Sequence, residues 1–239
     1  PEIVVINNLT AKGIAESVDR FAKRLAESQM VFIPGGFSGG DEPDGSGKFI
    51  TAFFRNPEIR EGVEDLLDRR DGLMCGICNG FQALIKLGLV PYGKIMNTDA
   101  HCPTLTYNTI ARHQSKIVRT RIASNKSPWL ALTEVGEIFN VPISHGEGRF
   151  LADDELIRSL IANGQIATQY VDMDGNATNE IHFNPNDSAF AVEGITSPDG
   201  RVFGKMGHSE RVGAGLYRNV PGRYDIRMFE SAVRYFRKP

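Results

Sequence analysis

Two short patterns in this sequence combine residue types and spacings suited to nucleophilic chemistry. The first is Gly76-Ile77-Cys78-Asn79-Gly80, preceded by the apolar run Leu73-Met74-Cys75 and followed by Phe81-Gln82-Ala83-Leu84. A strand entering a helix through G-x-C-x-G is the cysteine form of a nucleophile elbow, in which small residues on either side let the chain turn sharply and expose the nucleophile. Helix N-termini offer free N–H groups and a positive dipole end, so Cys78 is expected to ionise below the roughly 8.5 of a free thiol. The same N–H groups, above all that of Asn79, can donate to the oxyanion of a tetrahedral intermediate. A second donor is expected from Gly36 in Pro34-Gly35-Gly36-Phe37, since glycine lets backbone approach a substrate closely.

The second pattern is H-x-E, which occurs twice, as His145-Gly146-Glu147 and His208-Ser209-Glu210. A cysteine hydrolase needs a histidine in hydrogen-bond reach and a group to orient it, and two residues apart in extended chain places side chains on one face. His101, His113 and His182 have no adjacent carboxylate. His208 follows an apolar strand, residues 202–206, while the glycines around Glu147 and the following Arg149 suggest a binding loop. Spacing alone leaves the two pairs open. A rival use of the cysteines is C-x-x-C, since Cys75 and Cys78 have the spacing of a redox pair or half a zinc site. His101-Cys102 would be the nearby supply of further ligands, but Cys75 is expected inside the strand.

The elements that must position these residues follow from periodicity. Residues 3–6 are a strand-type run, and Ile14, Val18, Phe21, Ala22 and Leu25 recur at helical spacing between charges. Residues 30–33 read as a second strand, residues 38–48 as a surface loop, 49–54 and 59–67 as helical, and 72–77 as a third strand. Alternating strands and amphipathic helices predict an α/β fold: a mostly parallel open sheet with helices on both faces, its ligands beyond the strand C-termini. The second half reads differently, with strand-like runs at 115–122, 139–144, 167–171, 189–195 and 202–205 joined by turns, and so predicts antiparallel additions. A closing helix is expected over 226–236. One domain, residues 1–239, is the expectation from length.

Hydrophobic residues make up 41% and the formal net charge is -2, which gives neither the basic footprint of a nucleic-acid binder nor the composition of a disordered chain. No stretch reaches the roughly 18 apolar residues of a membrane span, and three cysteines fit a reducing compartment, the cytoplasm.

With those residues in view, the chain resembles the class I, triad-type glutamine amidotransferases, which carry a G-x-C-x-G-x-Q elbow and a late H-x-E. Gly76-Ile77-Cys78-Asn79-Gly80-Phe81-Gln82 and His208-Ser209-Glu210 match both. Within that class, Pro34-Gly35-Gly36-Phe37-Ser38, His145-Gly146-Glu147-Gly148 and Asn184-Pro185-Asn186 resemble the glutaminase part of phosphoribosylformylglycinamidine synthases, and the segment 101–128 looks like the long, single-chain form.

The resemblance implies a flavodoxin-like fold. It implies that Cys78 attacks the amide of L-glutamine, His208 shuttles protons, Glu210 orients His208, and Gln82 helps hold the substrate, with His145 and Glu147 in the binding loop. Ammonia would pass to a synthase domain or subunit that makes formylglycinamidine ribonucleotide. No cofactor is expected in this domain; ATP and Mg belong to the synthase site. The family often has Pro where this chain has Ser209, a side chain given no role. It also begins with a strand and helix ahead of residue 3, so the chain is expected to lack its first strand–helix unit. The basic residues Arg112, Arg119, Arg121 and Lys126 suggest a docking face for the synthase. Rival readings are the glutaminase of another amidotransferase, an intracellular cysteine peptidase-like hydrolase, which is not expected to combine Gln82 with H-x-E, and a silent interaction module, which glutamine turnover would exclude.

Overall fold

A computed structural model of the protein describes residues 1–36 and 47–237. Helix α1 (Ala11–Glu27) starts where Thr10 Oγ1 accepts the N–H of Gly13, satisfying an amide that every helix start leaves unpaired. It feeds strand β1 (Met30–Ile33). Helices α2 (Lys48–Phe54) and α3 (Pro57–Glu64) follow, α3 being capped by Asn56, opened by Pro57 and continued as a wider turn over Asp65–Arg69. Next come β2 (Leu73–Ile77), α4 (Asn79–Leu87) and the short α5 (Leu89–Tyr92). The second half adds β3 (Thr104–Tyr107), β4 (Gln114–Ile122), β5 (Ile138–His145), β6 (Glu147–Leu151) and α6 (Asp154–Ala162). Strands β7 (Ile166–Tyr170), β8 (Val192–Thr196) and β9 (Val202–Lys205) and helix α7 (Met228–Tyr235) complete it.

Seven strands form one sheet in the order β1-β2-β9-β8-β7-β4-β5, and β3 pairs with β6 in a separate two-stranded sheet. The first three strands of the large sheet are mutually parallel; every further pairing is antiparallel, so the turn-rich second half supplies the antiparallel part, the larger one. Helices cover both faces. Gly76 and Gly204 face α4, since a Cβ on them would meet Gly80 and Phe81 respectively. On the opposite face Phe32 packs edge-on against Phe229 of α7, with ring centroids 5.1 Å apart. One apolar core runs from Val18 in α1 to Ala232 in α7, and a smaller one lies under β4, β5 and β7.

Two expectations change. Residues 3–6 form no strand: no strand among the described residues pairs with them, and Ile3 and Val5 stand exposed, the segment being tied to α1 by Asn7 N–H to Ser17 Oγ and Arg20 to the Val5 carbonyl. Strand propensity describes a fit to a pleated, half-buried surface, and without a ladder it produces none. The strand expected from residue 189 begins at Val192, because Phe190 and Ala191 adopt φ near 50°, outside the extended region. The pair β3–β6 and helix α6 add to the elements that periodicity predicts. Most of the loop expected at 38–48, with Phe37 and Ser38, lies outside the described residues. Arg119, Arg121 and Lys126 are each tied to a neighbouring segment, to Met173 O, Gln169 Oε1 and Asn163 O.

Candidate active site

Strand β2 and helix α4 meet at Cys78, which sits at φ 52° and ψ −107°, a conformation that non-glycine residues rarely adopt. Its neighbours allow the turn to close. A Cβ on Gly80 would lie 2.2 Å from the Ile33 carbonyl oxygen, and one on Gly76 would lie 2.6 Å from the Gly80 backbone, so the elbow accepts no side chain at either position. The Cys78 N–H donates to the Lys205 carbonyl of the adjacent β9 at 2.9 Å, fixing the elbow to the strand that leads to His208.

Burial dominates the thiol. Cys78 is 5% exposed, and its pKa is pushed up to about 11, mainly by desolvation. The backbone N–H groups of Asn79 and Gly36, and the charge of Arg211, oppose that shift without overcoming it, while Glu210 adds to it. The expectation of a lowered pKa is therefore overturned: loss of water around sulfur outweighs the helix start. The same balance places the amides of Gly36 and Asn79 at one sulfur atom, the arrangement an oxyanion hole needs.

His208 lies against the elbow, for a Cβ on Gly35 would touch both His208 Cε1, at 2.5 Å, and Cys78 Cβ, at 3.0 Å. Its Nδ1 is 2.6 Å from Glu210 Oε1. Burial alone would raise the Glu210 carboxyl, but the hydrogen bond and charge of His208, with lesser help from its own backbone N–H and from Lys205, hold it below the ordinary value. An ionised carboxylate only accepts, so Nδ1 carries a proton toward it, while Nε2 is buried without a hydrogen-bond partner among the described residues.

His145 ends β5 and Glu147 begins β6. The His145 ring packs over Gly148, where a Cβ would lie 2.3 Å from its Cε1; neither ring nitrogen has a hydrogen-bond partner among the described residues. Burial first, then the charges of His113 and His208, push its pKa down to about 3, so it is neutral. Ser144 just before it brings its carbonyl 3.8 Å from Cys78 Sγ. Gln82 is buried in α4, and its Nε2 donates to the Glu147 carbonyl at 2.5 Å, fastening α4 to the β5–β6 connection.

Two residues that sequence reasoning missed brace this connection. Asn108 donates to the His145 carbonyl and accepts from Gly148 N–H; no pattern marks it in the sequence. Tyr170 OH receives Asn186 Nδ2, which also donates to the Gly148 carbonyl. Cys75 is buried within β2, Cys102 Sγ bonds Asp99 Oδ1, all three cysteines are free thiols, and among the described residues no group of three His, Cys, Asp or Glu could hold a metal ion.

Comparison with known proteins adds the lineage. The profile of the CobB/CobQ-like glutamine amidotransferase domain matches residues 1–236. The chain belongs to this glutamine amidotransferase family. Among the domain's relatives, the phosphoribosylformylglycinamidine synthase subunit PurQ of Methanococcus maripaludis is 32% identical, over 99% of this chain and 88% of the relative. That of Chlorobaculum tepidum is 36% identical over 87% and 79% respectively. Among solved structures, PurLQS from Thermotoga maritima matches with a TM-score of 0.63 at 25% identity, covering 91% of this chain and 92% of that one. The glutaminase domain of Trypanosoma brucei CTPS, at a TM-score of 0.50 and 14% identity, over 98% of this chain and 80% of its own, shares the fold. No helix among the described residues of this amidotransferase domain is long and apolar enough to cross a membrane.

Proposed function

We propose that this glutamine amidotransferase domain hydrolyses L-glutamine with Cys78 as nucleophile, His208 as base and Glu210 as orienting carboxylate. The ammonia goes to a synthase partner that makes formylglycinamidine ribonucleotide in purine biosynthesis. The observation that carries the catalytic roles is the meeting of the elbow and the late H-x-E at Gly35, with Nδ1 of His208 engaged by Glu210 and Nε2 left free. The purine assignment is supported by PurQ relatives matched over most of both chains. PurLQS, matched over nine-tenths of both chains, supports a synthase partner.

In this reading the thiol stays protonated until substrate is seated. His208 Nε2 takes its proton as sulfur attacks the amide carbon, and Glu210 stabilises the imidazolium. The N–H groups of Gly36 and Asn79 receive the oxyanion. His208 returns the proton to the leaving nitrogen, which departs as ammonia; water, deprotonated by the same ring, then cleaves the thioester to glutamate. Gln82 shapes the pocket by holding the Glu147 backbone, and the His145–Glu147 connection forms the wall against which glutamine lies. ATP and Mg act at the synthase site. Three free thiols support a cytoplasmic setting.

The test is Cys78→Ala in the enzyme assembled with its synthase. Glutamine-dependent synthesis should vanish while ammonia-dependent synthesis persists; loss of both would contradict this division of labour. Labelling by a glutamine-like diazoketone should fall on Cys78 alone and be prevented by excess glutamine.

A further inference from the structure

Two charged side chains that the mechanism leaves unused lie at the centre of the sheet. Glu193 in β8 is 0% exposed and Lys205 in β9 is 1% exposed, and Lys205 Nζ is 3.4 Å from Glu193 Oε1. Removing a pair from water costs more than pairing usually returns, so an apolar pair would serve the strands as well or better. The cluster's hydrogen bonds point to another purpose. Glu193 Oε1 accepts the Gly207 N–H at 2.5 Å and Oε2 accepts from Thr168 Oγ1, while Lys205 Nζ donates to Ser209 Oγ at 2.6 Å. Gly207 and Ser209 are the residues immediately before and after His208. The backbone carbonyl of the same Lys205 accepts the N–H of Cys78. One residue is thus bonded to the nucleophile through its main chain and to the His208–Glu210 segment through its side chain.

We propose that Lys205, braced by Glu193, and Ser209 are positioning residues that hold His208 and Glu210 in register with Cys78 during glutamine hydrolysis. Ser209, given no role by sequence reasoning, is then the contact through which the buried ammonium reaches the catalytic segment. Its hydroxyl is the one polar side-chain group between His208 and Glu210, and losing it cuts the link from the ammonium to the segment, which then keeps the Gly207 N–H to Glu193 and the His208 N–H to the Pro142 carbonyl. The positive charge of Lys205 also lies close enough to favour the ionised form of Glu210, after the larger influence of His208.

The inference rests on the glutaminase reading above, and one experiment separates them. Glutamine hydrolysis is measured in the enzyme assembled with its synthase for wild type, Ser209→Ala, Ser209→Thr and the double variant Glu193→Gln with Lys205→Met, which removes both charges and leaves neither buried alone. Misplacing the base should lower kcat for glutamine about ten- to a hundredfold in Ser209→Ala. KM should stay within about twofold, as for an interaction that serves the transition state. Ser209→Thr, which restores the hydroxyl, should recover most of the rate. The double variant should lose kcat while keeping its unfolding midpoint and its ammonia-dependent synthesis. Wild-type kcat in Ser209→Ala, or loss of kcat in proportion to stability with no recovery in Ser209→Thr, would overturn the inference alone. A wild-type enzyme that fails to hydrolyse glutamine would overturn the glutaminase reading and the inference with it.

Discussion

His145 and His208 show how one residue type acquires two roles from its surroundings. Both are buried, but His208 has a carboxylate on Nδ1 whereas neither ring nitrogen of His145 has a hydrogen-bond partner among the described residues. His208→Ala should be about as inactive as Cys78→Ala, a loss on the order of a thousandfold or more, while His145→Ala keeps measurable turnover. The opposite order in a glutaminase assay would transfer the base to His145. His145 also leaves a mark on stability. The folded protein keeps its ring neutral down to about pH 3, whereas the unfolded chain takes up a proton below about 6.5, so the contribution is complete above 6.5 and is lost as pH falls toward 3. The loss amounts to as much as about 5 kcal/mol. Urea unfolding at pH 7 and pH 4 should show a large drop in wild type and a smaller one in His145→Leu; equal drops would place the acid sensitivity elsewhere. For Cys78, alkylation by iodoacetamide in the absence of glutamine should keep accelerating to about pH 11, and a plateau near pH 9 would mean an ordinary thiol.

Among the elements, the elbow is where sequence and structure agree in detail, because its constraint is local: two glycines and a cysteine specify a turn with almost no conformational alternatives. Gly80→Ala should therefore cost on the order of 3 kcal/mol or prevent folding, since the added carbon would meet a main-chain oxygen that cannot swing aside. Thermal unfolding measures it, and an unchanged midpoint would contradict the close approach. Elsewhere legibility fell with the range of the deciding interaction. Helix α1 announces itself through spacing and cap, but residues 3–6 needed a neighbour that local sequence does not reveal. The two H-x-E pairs were equally readable; which of them faces Cys78 is decided by β9 lying beside β2, a pairing between segments about 130 residues apart. Glu193 and Lys205 carry a sequence signal, a charge inside each of two otherwise apolar runs, but nothing local says that the two charges meet.

For the whole molecule, we propose that residues 1–239 fold as one cooperative unit, as a core shared by α1, α4, β9 and α7 supports. Fluorescence of the single tryptophan, Trp129, buried against α7, and far-ultraviolet circular dichroism should trace one coincident denaturant transition. Separate midpoints would divide the chain into independent units. Under the proposed mechanism, burial that raises the Cys78 pKa has a further consequence for exposure to oxidants. Peroxide attacks thiolates, so a nucleophile that ionises only when glutamine has arrived is chemically quiet between turnovers. The vulnerable moment is the catalytic one, and inactivation by hydrogen peroxide becomes a hazard of working rather than of waiting.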